Sequence, residues 1–309
     1  MKCYNKADKL IRRTDDVKKK PVLKIYLYLI LQILVLGVIC NAQTDKESKT
    51  LTSFKPIGKL EEEKLFGPYV IRIYNGEDWV TVGSKDCFSS FEVLRNNVRV
   101  YAKYGGSRGF GIYEKSGLDI IGNGQPDLVI FEINGGYHPY YSYHIFEIGN
   151  QFRYIETLSG RGGGNLYNAD NDHALEFEFD DTVFAYWRAS WADSPFLKVI
   201  YKYRGTKYEV ACELMRKPAL SNGEFKRLAK RLAAELKPLP DWVNDHHYRP
   251  PPNLWTEMLN LMYTGNMSQV WELAELSWPV GTKGKRKFLK DFREKMEYTV
   301  FWNKCVKKD

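Results

Sequence analysis

Two acidic stretches hold the residues best suited to chemistry. The first is Asp119-Ile120-Ile121-Gly122-Asn123-Gly124-Gln125-Pro126-Asp127. The second is Asn168-Ala169-Asp170-Asn171-Asp172-His173-Ala174-Leu175-Glu176. Each puts oxygen-bearing side chains at positions 1, 5 and 9 of a nine-residue turn that runs into an apolar strand. A hard cation such as calcium takes its ligands from such alternating oxygens. In the first loop the ligands would be Asp119, Asn123 and Asp127, with Gly122 and Gly124 supplying the turn and Ile121 unable to ligate at position 3. In the second they would be Asn168, Asp170, Asp172 and Glu176, with His173 standing where a glycine usually reverses the chain. The spacing predicts that the second loop holds calcium more tightly than the first, because Asp170 fills position 3.

A second chemistry is written into the strand that follows. Glu176, Glu178 and Asp180 alternate with Phe177 and Phe179, so the three carboxylates share one strand face. Same-face neighbours on a strand stand about 6.6–7 Å apart, which overlaps the carboxylate separation of inverting glycosidases. The plain reading is an acidic, solvated face. No His-Glu-x-x-His or phosphate-binding glycine motif occurs. His138 and His144 lie among tyrosines with no third metal ligand nearby, and read as structural. Gly160-Arg161-Gly162-Gly163-Gly164 reads as a flexible loop. Tyr186, Trp187 and Trp191, with the cluster Tyr137–Tyr143, offer an aromatic platform for sugar or peptide, or else inter-domain packing.

The elements that must carry these residues follow from periodicity. Alternating patterns predict strands at 69–74, 91–94, 98–101, 128–133, 141–148, 152–158, 175–180, 199–203 and 208–214. Asn75-Gly76, Asn96-Asn97 and Arg204–Lys207 read as hairpin turns. After Pro218 the pattern becomes helical: Glu224–Lys237 capped by Ser221-Asn222, a hairpin at Asn253–Tyr263 and Met267–Trp278, and a basic helix striped by Phe288, Phe292 and Met296. His246-His247 falls in a Pro-rich connector. The expected fold is α+β: an antiparallel β-domain over 65–218 and a helical C-terminal region over 219–309, with 43–64 as linker.

Charge and cysteine narrow the setting. The net charge of +8 is uneven: residues 1–42 and 281–309 each carry +6, and the middle −4. A basic nucleic-acid groove is therefore not expected there. Residues 1–42 join a basic stretch to an apolar run ending at Cys40-Asn41-Ala42, the pattern of a cleaved secretory signal, or of a signal anchor if uncut. The expected location is periplasmic or extracellular. Beyond Ala42 remain Cys87, Cys212 and Cys305, an odd count, and Cys212 reads as a buried small hydrophobe.

Asp119 to Ile130 resembles the loop and strand of FG-GAP or VCBS-type repeats found in integrin-like β-propellers, with 119–148 and 168–203 as two repeats. The resemblance implies calcium held for stability and a ligand face formed elsewhere. The strands are too few for a closed propeller, so a partial propeller-like or sandwich-like arrangement is expected. The run Asp119 to Pro218, with Asp181–Trp187 and Leu214–Pro218, also resembles a group of uncharacterised exported bacterial proteins with no assigned activity; that likeness extends into Leu254–Phe292. Members often carry Gly-Gly-x-His followed by two cysteines. This chain has Gly135-Gly136-Tyr137-His138 and then Pro139-Tyr140, which leaves no thiolate chemistry there.

The expected function is an exported, non-catalytic binding or envelope-structural protein with calcium-stabilised loops, its partner a glycan, a peptide or an envelope protein. The alternative is an extracytoplasmic hydrolase using Glu176, Glu178 and Asp180. A hydrolase requires one of these carboxylates to face another carboxylate and an aromatic ring across a cleft.

Overall fold

The structure is a computed structural model that describes residues 51, 53–76, 89–105, 108–235, 252–281 and 283–307. The N-terminal signal or anchor, Cys87, the Asn75-Gly76 hairpin beyond Gly76 and His246-His247 lie outside the described residues. No helix among the described residues is long and apolar enough to cross a membrane. Both sheets belong to the compact unit that begins at Pro56.

Among the described residues, eleven strands form two antiparallel sheets. The smaller runs β1 (Lys59–Phe66), β2 (Tyr69–Asn75), β3 (Ser89–Arg95) and β4 (Val98–Gly105) in order. The larger is ordered β11-β10-β9-β8-β7-β6-β5, built from β5 (Gly109–Ile112), β6 (Asp127–Ile133), β7 (Tyr140–Ile148), β8 (Phe152–Tyr167), β9 (Glu176–Asp181), β10 (Leu197–Tyr203) and β11 (Tyr208–Val210). This is the expected α+β class, in its sandwich-like form.

Period-two alternation decides how the layers stack. Tyr69, Ile71 and Ile73 of β2 and Phe91 and Val93 of β3 meet Phe110, Leu128, Ile130, Phe146 and Ile148 of the large sheet in one core. Burying a large apolar side chain contributes about 1.5–3 kcal/mol, so this layer holds the sheets together. The opposite face of the large sheet makes a second core from Val129, Tyr143, Ile145, Phe177 and Phe179, with Tyr203 and Tyr208 at its edge. Asn75 adds a polar tie between the sheets. Its Oδ1 accepts from Phe110 N at 2.8 Å and its Nδ2 donates to Phe110 O at 2.9 Å, so a side-chain amide pairs as a neighbouring strand would.

The helices are α1 (Cys212–Met215), α2 (Asn222–Glu235), α3 (Pro252–Tyr263), α4 (Met267–Ser277) and α5 (Lys285–Met296), followed by a π-helical turn at Trp302–Val306. Ser221 and Glu224 form a capping box at the start of α2: Ser221 N donates to Glu224 Oε2 at 2.9 Å, and Glu224 N donates to Ser221 Oγ at 3.3 Å. Trp255, Met258, Phe288, Phe292 and Met296 pack with Phe184, Val199 and Ile200 in a third core, which seats the helices on one end of the large sheet. Asp181 fastens the same junction, accepting from Tyr263 Oη at 2.7 Å and from Val300 N at 3.1 Å.

Four readings need correction. The stretch expected as linker to Lys64 contains most of β1, which shows no apolar alternation because Glu61, Glu62, Glu63 and Lys64 are all charged. The short strand β5 was unmarked, because two of its four residues are glycine. Gly160–Gly164 is not a loop but part of β8, which keeps pairing through a bulge between Arg161 and Gly164. Gly162 and Gly163 supply the positive φ of +77° and +82° that this bulge requires. The last strand stops at Val210, and Cys212 opens α1 bonded to Cys305 rather than lying free as a small hydrophobe.

Candidate functional site

The first acidic loop takes up most of its own oxygens, Asp127 Oδ1 being left buried without a hydrogen-bond partner. Asp119 accepts three backbone amides: Gly122 at 2.8 Å and Asn123 at 3.0 Å on Oδ1, and Gly124 at 2.7 Å on Oδ2. Asp127 is fully buried, and its Oδ2 accepts from Ile120 N at 2.7 Å and Ile121 N at 2.9 Å. Asn123 Oδ1 accepts from Gln125 N at 2.9 Å, and its amide donates to Glu147. Ile121, the residue unable to ligate, is buried in the second core. Burial pushes the Asp127 carboxyl up to about 7, against the lowering exerted by its two amide donors. Six backbone amides thus already occupy oxygens of the three expected ligands, while the buried Asp127 Oδ1 accepts none.

The second loop repeats the plan with one difference. Glu176 at position 9 is fully buried, and its Oε2 accepts from Ala169 N at 2.8 Å, as Asp127 does in the first loop. Asn168 turns its amide inward to donate to Asp172 O at 2.7 Å. The left-handed residue is Asn171 at φ +61°, not His173 as expected; asparagine adopts that region at lower cost. Oxygens of Asp170, Asp172 and Glu176 lie within 4.8 Å of one another, a set that could hold a metal ion of no particular identity.

That space already receives a cation. Lys202 of β10 donates to Asp170 Oδ2, lies 2.5 Å from Asp172 Oδ2, and stands 3.5 Å from Glu176 Oε1. Burial works against its charge, and the hydrogen bonds to Asp170 and Asp172 outweigh it, so its pKa lies above the ordinary lysine value. The Lys202 hydrogen bond in turn lowers the Asp172 carboxyl. A divalent ion would have to displace this ammonium. The two loops also abut: Leu175 N donates to Ile120 O at 2.7 Å, and a Cβ on Gly122 would come within 3.0 Å of Ala174.

The acidic strand face is neutralised in the same way. Lys198 Nζ lies 2.8 Å from Asp180 Oδ1 and 3.6 Å from Glu178 Oε1, and Tyr167 Oη donates to Glu178 at 3.2 Å. With Glu176 held by Lys202, each of the three carboxylates has a lysine partner on β10.

A groove of about 660 Å³ nevertheless opens between this face and the helices. Its polar lining includes Glu178, Lys198, Glu257 and Asn260, and its apolar wall includes Phe196 and Leu261. Glu257 is engaged by Arg231 at 3.0 Å. Phe196 connects the groove to a cluster of rings. It meets Trp191 at a centroid distance of 4.7 Å, and Trp191 stacks on His138 at 3.7 Å with the planes 14° apart. Tyr186 lies 5.5 Å from Trp191, and Arg161 stands over the ring of Tyr140 at 4.9 Å. Tyr186 and Tyr140 remain 58% and 45% exposed, so this surface is available to a ligand.

The loop that presents these rings is held in a costly shape. Tyr186 and Arg188 both adopt positive φ, at +57° and +58°. The reversal sends Trp187 into the helical core, 5.2 Å from Trp255, while Tyr186 faces outward. Trp187 therefore leaves the expected platform. Ser194 holds the turn, accepting from Tyr186 N at 3.0 Å and donating to Ser190 O at 2.7 Å. Strained non-glycine backbone concentrates at functional surfaces.

His144 is satisfied inside the sandwich, its Nε2 3.0 Å from Glu132 and its Nδ1 2.6 Å from Thr157. His138 is a stacking residue rather than a metal ligand. Reading the sequence alone missed Lys202, Lys198, Arg161 and Phe196. The first two carry a signal, since Lys198 and Lys202 share one face of β10, either side of Ile200, opposite the acidic alternation of β9. No family model, no curated protein and no solved structure matches this chain.

Proposed function

We propose that the chain is an exported, non-catalytic module that binds a glycan along the groove between β9–β10 and the helices and across the rings around Trp191. The observation that carries this reading is Phe196, which lines the groove and packs on Trp191, so that concave and flat surfaces continue into one another. Ligand sites combine apolar walls with a few placed polar groups. A sugar ring offers an apolar C–H face to Trp191 and Tyr186 and hydroxyls to Glu178, Lys198 and Asn260. Export is supported by the Cys212–Cys305 disulfide, since such bonds persist in oxidising compartments. The paired loops, each opening a strand with a buried carboxylate at position 9, support the likeness to calcium-loop repeats, with Lys202 serving as the cation of the second.

The hydrolase reading keeps one point in its favour: Glu178, Glu257 and Phe196 share the groove. The neutralisation of Glu178 by Lys198, and of Glu257 by Arg231, favours binding without turnover. Tryptophan fluorescence and calorimetry with a panel of soluble oligosaccharides and peptides test the choice. Saturable oligosaccharide binding, lost in Trp191→Ala and Phe196→Ala, is expected with no product released. Peptide binding at the same surface would replace the ligand class. Product release abolished by Glu178→Gln would install the hydrolase.

A further inference from the structure

The positive charge of residues 281–309 has no part in the groove or the loops. Much of it collects where α4 hands over to α5. Lys283, Lys285, Arg286, Lys287 and Lys290 line one shallow depression there, with Asp291 as its only acid. Asp291 is taken up by Arg188 and by Lys287 at 2.9 Å. Lys285 is paired with Glu275 at 2.5 Å, and Lys290 stands 3.8 Å from Glu294. Lys283 and Arg286 have no ion-pair partner among the described residues. This face carries more cations than its own acids neutralise.

Apolar side chains protrude at the same place. Val280 is fully exposed in the turn after α4, and Leu276 is 52% exposed on the last turn of that helix. The Glu275–Lys285 ion pair links the last turn of α4 to the first residue of α5, and Val280 precedes Lys283 by three residues in the turn between them. The helix cannot roll to hide its charges, because Phe288, Phe292 and Met296 are locked in the third core.

Exposed apolar side chains in a turn that leads into ammonium and guanidinium groups match the chemistry of an anionic bilayer surface. The apolar side chains enter the boundary of the acyl chains while the charges meet lipid phosphates. A nucleic-acid duplex would use the charges and gain nothing from Val280 and Leu276. We propose that the α4–α5 turn docks this protein on anionic phospholipid headgroups, independently of the glycan groove.

The full chain tests this through backbone amide exchange at residues 276–290, a readout that an N-terminal anchor elsewhere does not mimic. Vesicles of phosphatidylcholine with about one third phosphatidylserine should slow exchange there, and phosphatidylcholine alone should not. With each cation near such a surface worth about fivefold in partitioning, the triple variant Lys283→Gln, Arg286→Gln, Lys290→Gln should need about 100-fold more vesicle. Val280→Asp should weaken docking while retaining the wild-type melting temperature. Unchanged exchange on anionic vesicles, or equal slowing on both lipids, overturns the proposal. So does equal protection by a DNA duplex that is indifferent to Val280→Asp, which would make the patch a polyanion site.

Discussion

Lys202 Nζ donates a 2.5 Å hydrogen bond to Asp172 Oδ2 and so fills, from within the chain, the space that the second loop offers a divalent ion. Removing the ammonium leaves Asp170, Asp172 and the fully buried Glu176 facing one another without a cation. Breaking a buried pair costs about 3–5 kcal/mol, less where a partner is exposed as Asp172 is. Lys202→Met should therefore lower stability by about 2–3 kcal/mol, and millimolar calcium should restore much of it. The wild type should melt at one temperature in calcium and in chelator. A calcium-dependent rise in the wild type would show that the metal displaces Lys202.

Asp119 acts through the backbone amides of Gly122, Asn123 and Gly124. Asp119→Ala leaves three donors to find water, a loss of about 1–3 kcal/mol. The loss should be the same with and without calcium in thermal melts.

Asp127 gives a pH signature. Its folded pKa of about 7 lies above the unfolded carboxylate value, so between roughly pH 4 and 7 the folded state binds more protons than the unfolded. Its contribution is intact below the unfolded pKa and is lost as pH rises through 7. Asp127→Asn keeps an oxygen for the Ile120 and Ile121 amides and removes the charge. Denaturant melts should show the variant more stable than wild type at pH 8, by up to about 4 kcal/mol, and the two converging near pH 4. A constant gap across that range would reject the assignment.

Gly164 makes room for rings: a Cβ there would stand 2.7 Å from Phe179 Cε1 and 3.0 Å from Phe177 Cε1. Both phenylalanines are buried. Gly164→Ala should cost about 1–3 kcal/mol through overpacking, visible as a lower melting midpoint. Gly205→Ala has open space around its Cβ and a strained φ of +82°, so it reports backbone strain alone.

Reduction of Cys212–Cys305, which closes a separation of 93 residues, should lower stability by about 2–4 kcal/mol. Cys212→Ser should reproduce the effect in urea titrations.

What was legible in the sequence was what repeats locally. Strands such as β6 and β7 announce themselves because successive side chains must face opposite layers, and α2 by its capping box. β1 was hidden because Glu61 to Lys64 place four successive charges in the middle of an exposed edge, where no face selects for apolar residues. The loops were recognisable as acidic turns, yet their contents depend on Lys202, some thirty residues on, which only strand pairing brings into place. The Cys212–Cys305 bond and the groove at Phe196 likewise join segments that no local pattern connects.

That bond also imposes an order of events. The two sheets end by Val210 and share their cores without needing the later helices. Cys212 must then wait until residue 305 has emerged before it finds its partner. In a chain delivered from its N-terminus, the sandwich is assembled first and the helical cap is locked last. An oxidant supplied too early would find Cys212 with no native partner, so the timing of oxidation becomes a condition for correct maturation.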